Sequence, residues 1–98
     1  MIYATHKLYD CLHQLTTFKV VVTENGYVSD ICDFECEKHS MQWYDAIILS
    51  SKISKNSFFK TFSEVIEYLG SNCDKKEPIY AYGVTYDSDG WCMLTLLK

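Results

Sequence analysis

Arginine is missing from this sequence: all nine basic residues are lysine, set against thirteen acids, for a formal net charge of −4. That absence removes the planar, bidentate donor on which phosphate and base-edge recognition relies, and an acidic total repels a polyanion. Nucleic acid is therefore a poor candidate ligand and a basic protein a better one. Proline occurs once and glycine four times, too few for a collagen-like or low-complexity chain. The glycines, at 26, 70, 83 and 90, stand singly, so neither a Walker loop nor a dinucleotide fingerprint is present. Apolar runs such as Ala46-Ile47-Ile48-Leu49 stop far short of the roughly 20 residues that span a bilayer. The opening residues, Met1 to Lys7, lack the basic start, apolar stretch and small-residue cleavage site of a secretory signal. A cytoplasmic location is the expectation.

What is present suits one globular domain covering residues 1–98, with 48% hydrophobic and 22% charged residues and room for a single core. Five cysteines, at 11, 32, 36, 73 and 92, form an odd set without a secretion signal, which points to reduced thiols and not to a disulfide scaffold. Cys11 and Cys92 sit among apolar neighbours, where a thiol behaves as a small buried hydrophobe.

Periodicity predicts an α+β fold. Leu8, Cys11, Leu12 and Leu15 recur at helical spacing, so residues 5–16 read as a helix capped by Thr5. The β-branched run from Phe18 to Thr23, followed by Asn25-Gly26, predicts a hairpin over 18–34. Residues 40–52 fit a helical stripe through Met41, Tyr44, Ile47 and Ile48, although Ala46 to Leu49 also reads as a short buried strand; helix is the choice. Phe58, Phe62, Val65, Ile66 and Leu69 predict a helix over 57–69, capped by Ser57 and stopped at Gly70. Ile79 to Tyr86 and Trp91 to Leu97 read as strands joined around Asp87-Ser88-Asp89-Gly90. The order α-β-β-α-α-β-β gives an antiparallel sheet of about four strands, two hairpins, packed with about three helices.

Few residues carry recognisable chemistry. Cys32, Cys36 and His39 form a C-x3-C-x2-H cluster of zinc-type ligands, but no second close pair accompanies it, and no metal or other cofactor is expected. A cysteine could meet a histidine in space as a thiolate–imidazolium pair, yet no nucleophile signature surrounds any of the five cysteines. Glu64 and Glu67, at i and i+3, read as a solvated helix face and not as an acid–base pair. A surface argument remains. Asp30, Asp33, Glu35 and Glu37 alternate with Ile31, Cys32, Phe34 and Cys36, which in extended chain puts Asp33, Glu35 and Glu37 on one side and Asp30 on the other. Asp87 and Asp89 stand beside Trp91 at the last turn. Acids speed encounter with a basic protein, and an aromatic residue beside them supplies an anchor. Turn aspartates and charged edge strands also arise for purely structural reasons.

In size, acidity, cysteine and tyrosine content and want of a catalytic motif, the chain resembles bacterial immunity proteins of contact-dependent inhibition systems, with the Asp30 to Glu37 ridge as its main feature. The resemblance implies a non-enzymatic cytosolic protein that neutralises a cognate toxin, often a nuclease with a basic cleft, by protein–protein contact. An inhibitor of phage type, acting on a nucleic-acid-binding defence complex, would use the same surface. The alternatives from other classes are a small thiol- or zinc-dependent enzyme centred on Cys32, Cys36 and His39, and a module that self-associates through its sheet edge.

Overall fold

The computed structural model describes residues 1–10, 14–35, 40–51, 57–69 and 78–98. Among them the elements are, in chain order, β1 (Ile2–Tyr9), β2 (Leu15–Glu24), β3 (Tyr27–Asp33), β4 (Met41–Ser50), β5 (Phe58–Phe59), α1 (Phe62–Leu69), β6 (Tyr80–Tyr86) and β7 (Cys92–Leu97). The strands form one seven-stranded sheet in the order β3-β2-β1-β4-β6-β7-β5. β1 and β4 pair in parallel at its centre, and every other neighbouring pair is antiparallel.

This architecture replaces the expected antiparallel four-strand, three-helix α+β fold. The helix expected over 5–16 falls instead on the latter part of β1 and the start of β2, and residues 11–13 lie outside the described set. The spacing of Leu8 and Leu15 is a coincidence of two adjacent strands: Leu8 pairs with Thr16, and Tyr9 with Leu15. The helix expected over 40–52 is β4, flanked by β1 and β6. A strand covered on both faces reads as a continuous apolar run, and Ala46 to Leu49 is such a run, every residue of it buried. The helix expected over 57–69 shortens to α1. Phe58 and Phe59 pair with Met93 and Cys92, and the cap moves from Ser57 to Thr61, whose hydroxyl accepts the Glu64 N–H at 3.3 Å. The Glu64 carboxylate in turn accepts the Lys60 N–H at 3.1 Å, a reciprocal bond of the capping-box kind that ties the chain entering the helix to its first turn. The expected stop at Gly70 lies outside the described residues.

Both hairpins form. Asn25 and Gly26 take φ of 55° and 85°, the double left-handed turn that matches strand twist, and join β2 to β3. At the other hairpin Asp87 Oδ1 accepts the N–H groups of Asp89 and Trp91, each at 2.9 Å, and Gly90 supplies a φ of 85°.

The sheet buries apolar side chains on both faces. On one, α1 lays Val65 and Leu69 over Ala46, Ile48, Tyr82, Val84, Cys92 and Leu94. On the other, Tyr3, Leu8, Val21, Ile47, Leu49, Ala81 and Leu97 pack with no helix over them among the described residues. The sheet itself covers that second core by curling, since the Val28 N–H at the start of β3 donates to the Ile79 carbonyl beside β6 at 2.8 Å. Tyr27 and Tyr80 meet across the same seam with ring centroids 5.5 Å apart. Among the described residues no helix is long and apolar enough to cross a membrane.

Candidate protein-binding face

One transverse row interrupts the sheet. The β1–β2 ladder registers Thr5 with Lys19 and Lys7 with Thr17, and the β1–β4 ladder registers Thr5 with Tyr44 and Lys7 with Ala46, so both pass over His6. Side chains change face across this row. Tyr3 and Leu8, five positions apart on β1, join the same core, as do Tyr44 and Ile47, three apart on β4. Simple alternation would separate both pairs. Phe18, opposite His6, has a φ of 52°, a left-handed conformation that costs a non-glycine residue about 1–3 kcal/mol and collects at functional positions.

The row gathers aromatic side chains from four segments. The imidazole of His6 lies 5.6 Å from the Phe18 ring, edge to face, and 5.0 Å from the Trp43 ring. Trp43 also meets Phe34 edge to face at 5.0 Å, and the Phe34 N–H donates to the Phe18 carbonyl at 3.0 Å. Phe18 is 54% exposed and Trp43 36% exposed. Trp43 shares its register row with the buried Ala4 and Val20, and Cys32 comes next along it on β3. The helix covers the β4–β6–β7 half of this side, and among the described residues no helix covers the half with the aromatic row.

Acids frame the row. Asp45 on β4 places Oδ1 3.6 Å from His6 Nδ1, and its carboxylate is 85% exposed. By register Asp30 falls on the same side as Cys32 and Phe34, at the exposed edge strand β3, with Glu35 exposed just beyond. Asp33 points to the opposite side, where Lys19 binds its carboxylate, so its charge is locally neutralised. Glu37 lies outside the described residues, as do Cys36 and His39 of the candidate metal cluster. Cys32 is a free, exposed thiol. Among the described residues no group of three or more His, Cys, Asp or Glu side chains is arranged to hold a metal.

The second expected acidic cluster stands apart from the first. β3 meets the start of β6, beside Ile79, whereas the Asp87 turn follows the other end of β6, so Asp87, Asp89 and Trp91 do not join the Asp30 side. Asp87 uses its carboxylate to build its own turn. Trp91 is partly covered by Lys60, whose ammonium sits 5.9 Å from the ring centroid. Asp89 is exposed.

Beside the row a recess of about 470 Å³ opens between α1 and the sheet, lined by His6, Lys7, Tyr9, Asp45, Ala46, Phe62 and Tyr86. The Tyr86 hydroxyl bonds the Cys92 sulfur. Burial, then the neighbouring Cys92, Tyr9 and Asp45, push the phenol above its ordinary range and keep it protonated. Burial likewise pushes the Cys92 thiol up, the bond from Tyr86 opposing it. That thiol is 1% exposed, which makes it packing and not a nucleophile.

Sequence reasoning missed the aromatic row. Trp43 falls in the stretch read as helix, and Phe18 reads as an ordinary strand residue; nothing in the linear pattern joins either to His6 or Phe34. No protein-family model matches the chain, and neither a curated protein nor a solved structure is significantly similar to it.

Proposed function

We propose that this chain is a small, acidic, cytosolic binding protein that neutralises a basic protein partner, a toxin or nuclease domain, by covering its working surface with the aromatic row. The observation that carries the proposal is Phe18: an exposed ring held at a strained φ beside exposed Trp43, with Asp45 next to His6, Asp30 on the same side and Glu35 exposed just beyond β3. Core packing does not require an aromatic residue there, and strain that packing does not explain points to use by a ligand. A rigid aromatic centre with a charged rim is the arrangement from which interface hot spots are made. The acids contribute rate more than grip, since steering raises association of opposite charges by about 10 to 1,000-fold at low salt.

The proposal differs from the expected site in its acids and in its anchor. Asp33 is engaged by Lys19 and Asp45 joins the acids, while Trp43 with Phe18 replaces Trp91 as the anchor. An inhibitor of phage type would use the same face against a nucleic-acid-binding complex.

The test is capture from lysate of the native host at low salt, comparing the tagged chain with a Phe18→Ser/Trp43→Ser variant. A basic protein retained in stoichiometric amount by the native chain alone, and inhibited by it in a nuclease or toxicity assay, supports the proposal. Capture of the same proteins by both chains, or of none, overturns it.

A further inference from the structure

We infer that the recess beside the aromatic row is an arginine-binding pocket, the place where a basic partner seats one guanidinium group. The inference deepens the proposed function and rests on it for the identity of the partner.

Three rings wall the recess. Tyr9 and Phe62 stand with centroids 5.0 Å apart, and the half-exposed Tyr86 lines the recess beside them. A guanidinium plane stacks on aromatic faces and is more weakly hydrated than an ammonium, so a site of this kind favours arginine over lysine. Asp45 supplies the counter-charge. It is 85% exposed, and its nearest approach to His6, 3.6 Å, is too long for a hydrogen bond, which leaves the carboxylate able to accept from a guanidinium fork. Burial, then the neighbouring Cys92, Tyr9 and Asp45, raise that phenol above its ordinary value, so its ring remains a neutral stacking surface.

Two groups in the lining oppose a cation, Lys7 and, when protonated, His6. Lys7 carries its charge on a flexible four-carbon stem that can swing to solvent, whereas Asp45 is held on a short side chain of β4. The volume of about 470 Å³ exceeds what one guanidinium fills, which leaves room for Lys7 to move aside. The sequence also settles what cannot occupy the pocket: the chain has no arginine, so a second copy has no guanidinium to donate.

The test uses N-acetyl-arginine amide as the probe, titrated into the folded chain and followed by amide NMR. The lysine, norleucine and glutamate analogues are titrated in parallel. The expected result is saturable shifts at Tyr9, Asp45 and Tyr86 with the arginine probe, weaker with lysine and absent with norleucine and glutamate. Asp45→Asn weakens binding about tenfold, the loss expected for one charge-assisted hydrogen bond, and Tyr86→Leu weakens it with the charge intact. No saturable shift at these residues, or tighter binding of the glutamate analogue, overturns the inference. Because no partner is present, the outcome is separable from the proposed function: arginine binding with no basic protein captured leaves the pocket and removes the inhibitor, and the converse removes the pocket alone.

Discussion

The ring of Tyr44 fills the space beside Gly83 that a side chain there would need: a Cβ built on Gly83 would lie 2.5 Å from Tyr44 Cε1. Gly83 pairs with Ile47 in the centre of the sheet, and Tyr44 packs on the second core, so neither can move freely. Gly83→Ala should cost about 1–3 kcal/mol, the usual penalty of overpacking. In a Tyr44→Ala background the same substitution should cost much less, and urea unfolding of the four proteins measures the coupling. An equal penalty in both backgrounds would show that the ring is not what excludes a side chain at this position.

The two aspartates of the last turn should separate by role. Asp87 accepts two backbone N–H groups, so Asp87→Ala should lose about 1–3 kcal/mol of stability. The exposed Asp89 should tolerate asparagine within about 0.5 kcal/mol. Thermal unfolding checks both, and equal losses would remove the distinction.

Alkaline pH should weaken the fold by a predictable route. Burial raises the Cys92 thiol above its ordinary 9.0 and, with Tyr44 nearby, the Tyr3 phenol above its ordinary 10.0. A group whose folded pKa is raised holds its proton more tightly in the folded chain. Its contribution is complete below the unfolded value and is lost as pH rises from there through the folded value. Stability from these two groups should therefore be level below about pH 9 and fall above it. Tyr3→Phe should be less stable at pH 7, because the hydroxyl donates to the Lys98 carbonyl at 3.0 Å, yet should lose less between pH 10 and 11 than the native chain. A parallel decline in both proteins would refute the assignment. Over the same range Cys32 should react with a thiol reagent in the folded state, and Cys92 only on unfolding.

Neutralising the acids should affect partner binding unequally. Asp30→Asn with Glu35→Gln should slow association at low salt and have little effect at high salt. Asp33→Asn should leave association nearly unchanged and cost at most about 1 kcal/mol of stability through its exposed pair with Lys19. Stopped-flow rates at two salt concentrations decide the matter, and equal slowing by Asp33→Asn would restore it to the binding ridge.

The sequence made visible the elements whose signals are local. Asn25-Gly26 and Asp87 to Gly90 marked both hairpins, because a turn needing positive φ restricts its residues. The face that Cys32 and Phe34 share with Asp30 followed from alternation. β1 stayed hidden, and β4 showed only as the alternative buried-strand reading of Ala46 to Leu49 beside the chosen helix, because both are central. Strands covered on both sides lose their polar face, and the shift across His6 puts Tyr3 and Leu8, and Tyr44 and Ile47, in one core at spacings foreign to a regular strand. The acids were legible as charges but not their pairing, since Lys19 meets Asp33 only through the hairpin register. The aromatic row was not legible at all. His6, Phe18, Phe34 and Trp43 come from four segments, and the parallel pairing of β1 with β4 that brings Trp43 beside His6 has no local signature.

Phe18→Gly tests the central claim most directly, with folding stability and affinity for the captured partner measured on the same protein. Glycine accepts a φ of 52° without strain, so the fold should keep its stability to within about 1 kcal/mol. Loss of an anchoring ring should weaken partner binding about tenfold or more. Unchanged affinity, or a loss of stability large enough to account for weaker binding, would contradict the assignment of the aromatic row to partner recognition.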